Sequence, residues 1–372
     1  MTQRDKPPFR ADQVGSLLRS AKLKNAREAR ARNEIDAAAL RRIEDEEIRA
    51  AVRLQEEIGL RAVTDGEYRR GSWQRDFLMS FANVAVTTAK FKARFHSSAG
   101  ETERDLSAFA VTGKFSRPRG IFVEDFKFLK SIAHALPKQT IPSPTLLHFR
   151  GGRALVDDKA YPEMAEFFAD VAKAYGEEIA DLAAAGCRYL QLDDTNFAYL
   201  CDPAIREQVR GIGENPETLP RTYVGLINAS IAARPRDMSV CIHICRGNFR
   251  STWMAEGGYD PIAEVLFNEA KVDGFFLEYD SARAGGFEPL RFLPKGKIAV
   301  LGLVTTKTGT LESKDALKRR IDEAQRYAPL DQLALSPQCG FASAAEGNDL
   351  ALEDEVAKLR LVVEVAREVW GG

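Results

Sequence analysis

The chain has 372 residues, of which 45% are hydrophobic and 29% are charged, a composition typical of a globular protein. Its formal net charge of −1 gives no indication of a nucleic-acid partner or of an anionic membrane surface. No apolar run reaches the ~18 residues of a membrane-spanning helix, and the N-terminus lacks the apolar stretch of a signal peptide. Five cysteines without the spacing of a disulfide framework favour a reducing cytoplasm, and a homo-oligomer is left open.

Short β-rich runs alternate with helical stretches along most of the chain. The strand candidates are residues 9–14, 61–65, 138–142, 188–193, 239–244, 274–278, 297–302 and 332–336. Helical spacing of apolar residues is found at 35–58, 161–185, 218–234, 259–270, 312–327 and 349–370. Eight repeated strand–helix units predict an α/β fold, a (β/α)8 TIM barrel, and not an open doubly wound sheet. The absence of a Gly-x-Gly-x-x-Gly motif after the first strand also counts against a dinucleotide-binding fold.

One segment, about residues 84–115, breaks this order. Apolar and polar residues alternate along it with the period of two that is typical of a half-buried strand. We therefore predict a β-hairpin insertion after the second strand. The whole chain, residues 1–372, is predicted to form a single catalytic barrel domain that carries this insertion.

Polar residues recur at the predicted carboxyl ends of the strands, where (β/α)8 enzymes carry their catalytic groups. His243 and Cys245 follow the fifth strand, Glu278 the sixth and Cys339 the eighth. His243 and Cys245 are two residues apart, so their side chains face the same way along an extended strand end. Two thiolates, an imidazole and a carboxylate form a ligand set suited to Zn²⁺. The alternative is that the cysteines are small buried hydrophobes and that His243 is a core histidine.

The other cysteines are Cys187, Cys201 and Cys241. In a regular strand Cys241 shares the face of His243 and Cys245, one residue pair deeper. The sequence therefore does not exclude Cys241 as a ligand, although a buried structural role is the favoured interpretation for all three.

A second group of polar residues suggests how a small substrate could be held. Glu67 follows the second strand and Asp193 the fourth, and carboxylates at a barrel mouth can bind an ammonium group by charge-assisted hydrogen bonds. The backbone and hydroxyl of Gly15 and Ser16 can bind a carboxylate. Together these residues would hold an amino acid by both ends.

Both carboxylates have structural alternatives. Glu67 can instead form a salt bridge with an arginine that follows it in the chain, namely Arg69, Arg70 or Arg75. Asp193, together with the neighbouring Asp194, can instead cap the N-terminus of the next helix. The sequence leaves these alternatives open.

Taken in order, the motifs resemble the C-terminal catalytic barrel of the cobalamin-independent methionine synthase family. They are Val14-Gly-Ser16, Asp65-Gly-Glu-Tyr-Arg69, Gln191-Leu-Asp193, His243-Ile-Cys245, Glu278 and Pro337-Gln-Cys-Gly340. The resemblance covers nearly the whole chain and is to the short, single-barrel relatives. It implies a methyltransferase of methionine biosynthesis, in which zinc activates the thiol of homocysteine for attack on the methyl group of 5-methyltetrahydrofolate or a related donor.

The resemblance also implies roles for individual residues. His243, Cys245, Glu278 and Cys339 would bind the catalytic zinc, with Glu278 the ligand that yields to an incoming thiol. Homocysteine would be held by Ser16, Glu67 and Asp193, with Gly15 and Asp194 beside them.

The sequence departs from the family pattern on the side of the methyl donor. The family's Asp-Glu-Pro after the fourth strand is Asp193-Asp-Thr195, and Tyr199 stands where an acidic residue contacts the pterin. The loop Leu303–Gly309 lacks the histidine proposed as proton donor, so Lys307 or a threonine hydroxyl would have to substitute.

The alternatives that remain are another thiol, such as one of the coenzyme M type, and a methyl-corrinoid donor. An alternative of a different class is a non-catalytic barrel with structural zinc that binds a small ligand.

Overall fold

The computed structural model describes residues 4–97 and 100–371. The strands of this part of the chain are β1 (Ala62–Val63), β2 (Ala82–Ser97), β3 (Gly100–Ser116), β4 (Leu136–Pro137), β5 (Gln139–Pro142), β6 (Tyr189–Asp194), β7 (Ser239–Ile244), β8 (Gly274–Glu278), β9 (Ile298–Val304) and β10 (Leu333–Pro337). The α-helices are α1 (Ala21–Ala31), α2 (Ala37–Ile58), α3 (Arg75–Leu78), α4 (Val123–Ile132), α5 (Met164–Ala184), α6 (Asn196–Tyr199), α7 (Pro203–Gly211), α8 (Leu219–Ser230), α9 (Asp260–Glu269), α10 (Lys314–Ala324) and α11 (Leu352–Trp370). Short 3₁₀ helices lie at Pro144–Leu147, Gly152–Leu155, Ala282–Ala284, Glu288–Phe292 and Leu330–Gln332.

The strands β5 to β10 form one parallel sheet in consecutive order, and β1 pairs in parallel with β4, which leads into β5. At the other edge, Ala11 bridges to Leu335 of β10. The ends of the first two predicted strands are joined by a hydrogen bond from a side chain to the backbone, in which the Thr64 hydroxyl donates to the Gly15 carbonyl at 2.6 Å. Strand order and the covering helices confirm the predicted (β/α)8 barrel.

The first predicted strand, residues 9–14, is wrong as a regular strand, because it makes only the single bridge at Ala11. The reason lies in the Asp12 carboxylate, which accepts the N–H groups of Phe9 at 3.1 Å and of Gln13 at 2.8 Å. Backbone groups that bond to a nearby side chain are lost to the strand ladder.

Apolar side chains fill the space on both faces of the strands. Inside the barrel, Phe9, Val14, Ala62, Tyr189, Cys241, Phe276, Ile298, Val300 and Ala334 form one buried cluster. Residues of β6, β8 and β9 are buried along their whole length, as expected for parallel strands covered by helices. Cys241 thus lies in the apolar interior.

The helices begin and end at residues that suit those positions. The longest helix, α2, begins where the Asp36 carboxylate accepts the Ala39 N–H at 2.6 Å, and it ends at Gly59, whose φ of 97° is left-handed. Within residues 4–97 and 100–371, no helix is both long and apolar enough to span a bilayer.

The predicted insertion is confirmed as the antiparallel hairpin of β2 and β3, which extends from residue 82 to residue 116. It docks on the barrel through backbone pairing: the N–H of His96 donates to the Trp253 carbonyl at 2.8 Å, and the Trp253 N–H donates to the His96 carbonyl at 3.1 Å. A further bridge joins Val111 to Val156. These contacts hold the hairpin over the carboxyl-terminal mouth of the barrel.

A buried ion pair lies in the barrel interior. The Nζ atom of Lys138 lies 3.1 Å from Oδ1 of Asp12, both side chains are inaccessible, and the Tyr189 hydroxyl donates to Oδ2 of Asp12 at 2.8 Å. We expect Asp12→Ala to lower the free energy of unfolding by about 3–5 kcal/mol, because it leaves a buried ammonium without its charge partner. Urea unfolding measures this loss. The double variant Asp12→Ala/Lys138→Met should recover much of it, and a loss below ~1 kcal/mol in the single variant would contradict the assignment.

A buried carboxyl group in α11 predicts a pH dependence of stability. Burial raises the pKa of Glu355 to about 8 from 4.5, although its carboxylate accepts the Leu18 N–H at 2.7 Å. Between pH 4.5 and about pH 8 the folded state binds a proton that the unfolded state has released. The free energy of unfolding therefore falls by roughly 1 kcal/mol for each pH unit as the pH rises through this range. We expect Glu355→Gln to remove this fall. Thermal unfolding at pH 5 and pH 8 checks it, and parallel curves for both proteins would contradict it.

Candidate metal centre

Four potential metal ligands meet where neighbouring strands end. His243 is the second-last residue of β7, and Cys245 comes directly after that strand. Glu278 is the last residue of β8, and Cys339 follows β10. Parallel strands end at the same edge, so these side chains converge. All four are buried, and one donor atom from each lies within 4.8 Å of the others.

The two sulfur atoms already have almost the separation that a shared metal requires. The Sγ atoms of Cys245 and Cys339 are 3.4 Å apart. Two sulfurs bonded to a tetrahedral zinc at about 2.3 Å would be roughly 3.7–3.8 Å apart. A shift of a few tenths of an ångström therefore suffices.

The histidine presents a nitrogen to the same space. Nδ1 of His243 lies 3.2 Å from Oδ1 of Asp193, and this carboxylate oxygen also accepts Nε2–H of Gln191 at 2.7 Å. Nε2 of His243 is buried and makes no hydrogen bond of good geometry, and the nearby Cys339 sulfur raises its pKa. A buried polar atom without a good hydrogen bond is costly, and a carboxylate that holds one imidazole nitrogen is the usual way to orient the other toward a metal. This nitrogen fits a metal ion.

The carboxylate of Glu278 is fixed from behind. Its Oε1 accepts the backbone N–H of Arg246 at 2.7 Å, and Nη2 of Arg283 lies 3.5 Å from Oε2. Burial acts to raise the pKa of Glu278, but the nearby charges of Lys307 and Arg283 hold it below its ordinary value. The group is therefore an anionic oxygen ligand at neutral pH.

The protonation of the other donors indicates that a positive charge is favoured here. The S–H of Cys245 bonded to the Cys339 sulfur lowers the pKa of Cys339 to about 6, against the effect of burial, and the same contact raises that of Cys245. Burial lowers the pKa of His243, but Asp193 and Cys339 outweigh it and raise the value to about 10. Such anionic surroundings suit a divalent cation of borderline softness.

A cleft of about 270 Å³ opens over this centre. Its wall contains the metal-ligand candidates His243, Cys245 and Cys339 together with four of the residues predicted to bind substrate: Ser16, Glu67, Asp193 and Tyr199. The structure thus brings candidate metal ligands and residues predicted to bind an amino acid into one cavity.

Glu67 is built into the cleft wall in an uncommon backbone conformation, with a φ of 61°. Its Oε1 accepts the Thr140 hydroxyl at 2.7 Å and lies 3.3 Å from Nη1 of Arg70, so the salt-bridge alternative also applies. Burial raises the pKa of Glu67 to about 7, Arg70 opposes this and Asp193 adds to it. A cationic ligand between Glu67 and Asp193 would relieve that repulsion.

Gly15 and Ser16, which were predicted to bind the carboxylate of an amino acid, differ in their position relative to the cleft. The Ser16 hydroxyl accepts the Ala342 N–H at 3.3 Å and lies on the wall. Gly15 is not on the wall, but a Cβ there would lie 2.7 Å from Cγ2 of Thr140 and 3.3 Å from Oε1 of Glu67. Its missing side chain lets these groups approach, which is a packing role.

Four predicted site residues lie outside the cleft wall, namely Gly15, Asp194, Glu278 and Lys307. Asp194 accepts the N–H groups of Asn196 at 2.7 Å and Phe197 at 3.0 Å, which are the contacts of the helix-capping alternative. The Nζ atom of Lys307 bonds to the Thr252 carbonyl at 2.9 Å and to Oδ1 of Asn248 at 3.3 Å. These acceptors occupy its ammonium group, and the role of Lys307 as a proton donor stays a prediction.

Several wall residues were not predicted from the sequence. They are Trp73, Phe95, Arg104, Leu106, Arg150 and Phe249, from the hairpin and the loops that follow strands. Arg150 is the one with a recognisable signal, since a cation in the loop after the third barrel strand falls at the catalytic edge. The hairpin residues give none, because an alternating pattern does not show which loop a strand will cover.

Comparisons with known proteins agree with this geometry. Fold and site define a (β/α)8 barrel with a candidate metal centre of cysteine, histidine and glutamate residues at its mouth. The chain belongs to the family of the cobalamin-independent synthase catalytic domain, whose sequence profile matches residues 9–368. This confirms the family resemblance.

Among its relatives, the Bacillus subtilis (strain 168) protein YxjG is 50% identical over 99% of this chain and 96% of that protein. The 5-methyltetrahydropteroyltriglutamate–homocysteine methyltransferase of Thermosynechococcus vestitus is 21% identical, over 98% of this chain but 43% of that enzyme. The chain thus spans less than half the length of that methyltransferase.

Two solved structures are similar over almost the whole chain. A Listeria monocytogenes protein, provisionally assigned as a vitamin-B12-independent methionine synthase, has a TM-score of 0.78 at 39% identity, covering 99% of this chain and 100% of that one. A B12-independent methionine synthase from Shewanella sp. W3-18-1, in complex with selenomethionine, has a TM-score of 0.71 at 19% identity and covers 97% of both chains. At that identity the second comparison supports the fold alone.

Proposed function

We propose that the protein is a zinc-dependent methyltransferase that transfers a methyl group to the thiol of homocysteine and so forms methionine. The observation that carries this proposal is the convergence of His243, Cys245, Glu278 and Cys339, whose donor atoms lie within 4.8 Å of one another beside an open cleft. Membership of the family and the name of the Thermosynechococcus relative support the choice of reaction.

Each part of the site has a task in this reaction. His243, Cys245, Glu278 and Cys339 would hold the zinc, which supplies a low thiol pKa while leaving a nucleophilic sulfur. Glu67 and Asp193 bind the ammonium group, and the Ser16 hydroxyl binds the carboxylate. Fixing both ends of the amino acid aligns its sulfur for attack on the methyl carbon. The reaction then takes place between groups that are already held in position, which lowers its entropic cost.

The centre is not arranged as a purely structural zinc site. Structural sites are closed by four protein ligands and have no exchangeable position. Here His243, Cys245 and Cys339 line a cleft, and the fourth donor, Glu278, is a buried carboxylate oxygen, a harder donor than the sulfur of an incoming thiol. The open side of the centre favours the catalytic alternative over the non-catalytic barrel.

A matrix of donors and acceptors tests the proposal. Zinc-loaded protein is supplied with 5-methyltetrahydrofolate, its triglutamate or methylcobalamin, and each is combined with homocysteine or coenzyme M. We expect product with homocysteine and none with coenzyme M, because Glu67 and Asp193 repel a sulfonate. Turnover of coenzyme M without turnover of homocysteine would contradict the proposal.

A variant of Glu67 tests the same assignment from the side of the protein. Glu67→Gln keeps an acceptor for the Thr140 hydroxyl but removes the charge that faces the substrate ammonium. We expect KM for homocysteine to rise by about tenfold or more, since a charge-assisted hydrogen bond is worth roughly 1.5–3 kcal/mol. Zinc content should not change. An unaltered KM would show that Glu67 serves only its salt bridge with Arg70.

A further inference from the structure

The cleft has a side rich in hydrogen-bond donors that the binding of homocysteine does not use. Tyr199, Thr195 and Arg150 lie on its wall, whereas the carboxylates Glu67 and Asp193 serve the amino acid. Donor groups suit a second substrate that presents an electron pair. In the proposed reaction the second substrate is the source of the methyl group.

Tyr199 is placed next to the metal centre. It is the last residue of α6, which directly follows β6, and its ring packs against Phe149 with 5.8 Å between ring centroids. A Cβ on Gly247 would lie only 3.2 Å from the Tyr199 hydroxyl. Gly247 comes two residues after Cys245, so the hydroxyl lies against the turn of chain that presents this ligand.

Arg150 stands beside this hydroxyl. It is buried, with 7% of its surface exposed, and its Nη1 donates to the Ser107 carbonyl of the hairpin at 2.8 Å. Its guanidinium interacts with the Tyr199 side chain, while its Nε has no hydrogen-bond partner. A buried guanidinium with a spare N–H on the wall of a cavity indicates a place for negative charge.

The residue otherwise available for such a role is Lys307, and it is less suited. Its ammonium is bound to the Thr252 carbonyl and to Asn248, and it is not part of the cleft wall. Tyr199 is the better candidate acid, because it is on the cleft wall and its O–H group lies against the chain that carries the candidate ligand Cys245.

We propose that Tyr199 donates its hydroxyl proton to the leaving atom of the methyl donor, and that Arg150 holds this hydroxyl and stabilises the charge it acquires. This rests on the proposed function. The thiolate sulfur forms a bond to the methyl carbon as the bond from that carbon to the leaving atom breaks. The electron pair goes to the leaving atom, which takes the proton from Tyr199. The tyrosinate beside Arg150 then regains a proton from water.

The inference specifies the class of donor. The leaving atom must be one that gains a proton, as the N5 nitrogen of a reduced folate does. A donor whose leaving group departs without a proton, such as methyl iodide or methylcobalamin, would gain nothing from Tyr199. This difference supplies the test.

The experiment compares Tyr199→Phe with the wild type, both loaded with zinc and saturated with homocysteine, using 5-methyltetrahydrofolate or methyl iodide. We expect the variant to form methionine from the folate about a hundredfold more slowly, since a positioned general acid contributes roughly 10²–10⁴-fold. Its rate with methyl iodide should stay within about twofold of the wild type. Zinc content and the affinity for 5-methyltetrahydrofolate, measured by fluorescence quenching, should be unchanged.

Two further variants separate roles. Because Arg150 is a positioning residue, Arg150→Met should lower kcat with the folate and leave KM unchanged. Arg150→Lys should restore part of the lost kcat. Lys307→Met should affect both methyl sources by the same factor, because its charge acts on Glu278.

The outcomes are distinct. Equal effects of Tyr199→Phe on both methyl sources would overturn the inference, as would a wild type that uses methyl iodide or methylcobalamin but no folate. The proposed function itself fails if zinc-loaded wild type does not accelerate methylation of homocysteine by any of these reagents, and the inference then falls with it.

Discussion

Replacing Cys339 with serine is expected to remove most of the bound zinc and nearly all methyl transfer. A serine hydroxyl stays protonated at neutral pH and is a poor substitute for a thiolate, so a centre with few protein ligands loses one of its two sulfurs. We expect zinc affinity to fall by at least about a hundredfold. Competition with a chromogenic chelator measures it.

The matched control is a cysteine outside the centre. The Sγ atom of Cys187 donates to the Tyr189 carbonyl at 3.4 Å, a bond that serine can keep, so Cys187→Ser should bind zinc like the wild type. Cys241→Ala should do the same, because Cys241 belongs to the apolar barrel interior. Stoichiometric, tightly bound zinc in Cys339→Ser would contradict the ligand set.

The change Asp193→Asn is expected to affect the metal and the substrate together. The Asp193 carboxylate lies 3.2 Å from Nδ1 of His243 and also faces the cleft. Its loss should weaken zinc binding by about 10–100-fold, the usual effect of removing the group that orients a ligating histidine. The KM for homocysteine should rise as well, even at saturating zinc, because one partner of the ammonium group is lost.

The neighbouring acid provides the control for this prediction. Asp194 caps α6 through the N–H groups of Asn196 and Phe197, so Asp194→Asn should lower thermal stability and leave zinc affinity unchanged. Equal zinc affinities for Asp193→Asn and the wild type would show that Asp193 does not orient the histidine.

The ligand-bearing strands could be predicted from the sequence because each combines an apolar run with a polar residue at its carboxyl end. In a parallel sheet covered by helices, strands are buried on both faces and are therefore continuous apolar runs. The apolar composition of β7, β8 and β10 is enough to predict them as such strands. Strand order then brings Cys245, Glu278 and Cys339 to one edge. The placement of the candidate centre is thus a consequence of topology.

Other features depend on tertiary contacts that no local pattern encodes. The segment at 9–14 has strand composition, but the Asp12 carboxylate binds its amide groups. Adjacent acids also look equivalent in sequence, yet Asp193 faces the cleft and Asp194 caps a helix, because successive strand residues point to opposite faces. The site of Arg150 depends on where the hairpin docks.

The proposal that a zinc centre activates the thiol is tested most directly by zinc X-ray absorption, which measures the first coordination shell with and without homocysteine. Without the thiol we predict two sulfurs, from Cys245 and Cys339, with one nitrogen and one oxygen. On addition of homocysteine the sulfur count should rise by one as the Glu278 oxygen is replaced. An unchanged shell in the presence of saturating homocysteine would contradict the claim that this centre activates the thiol.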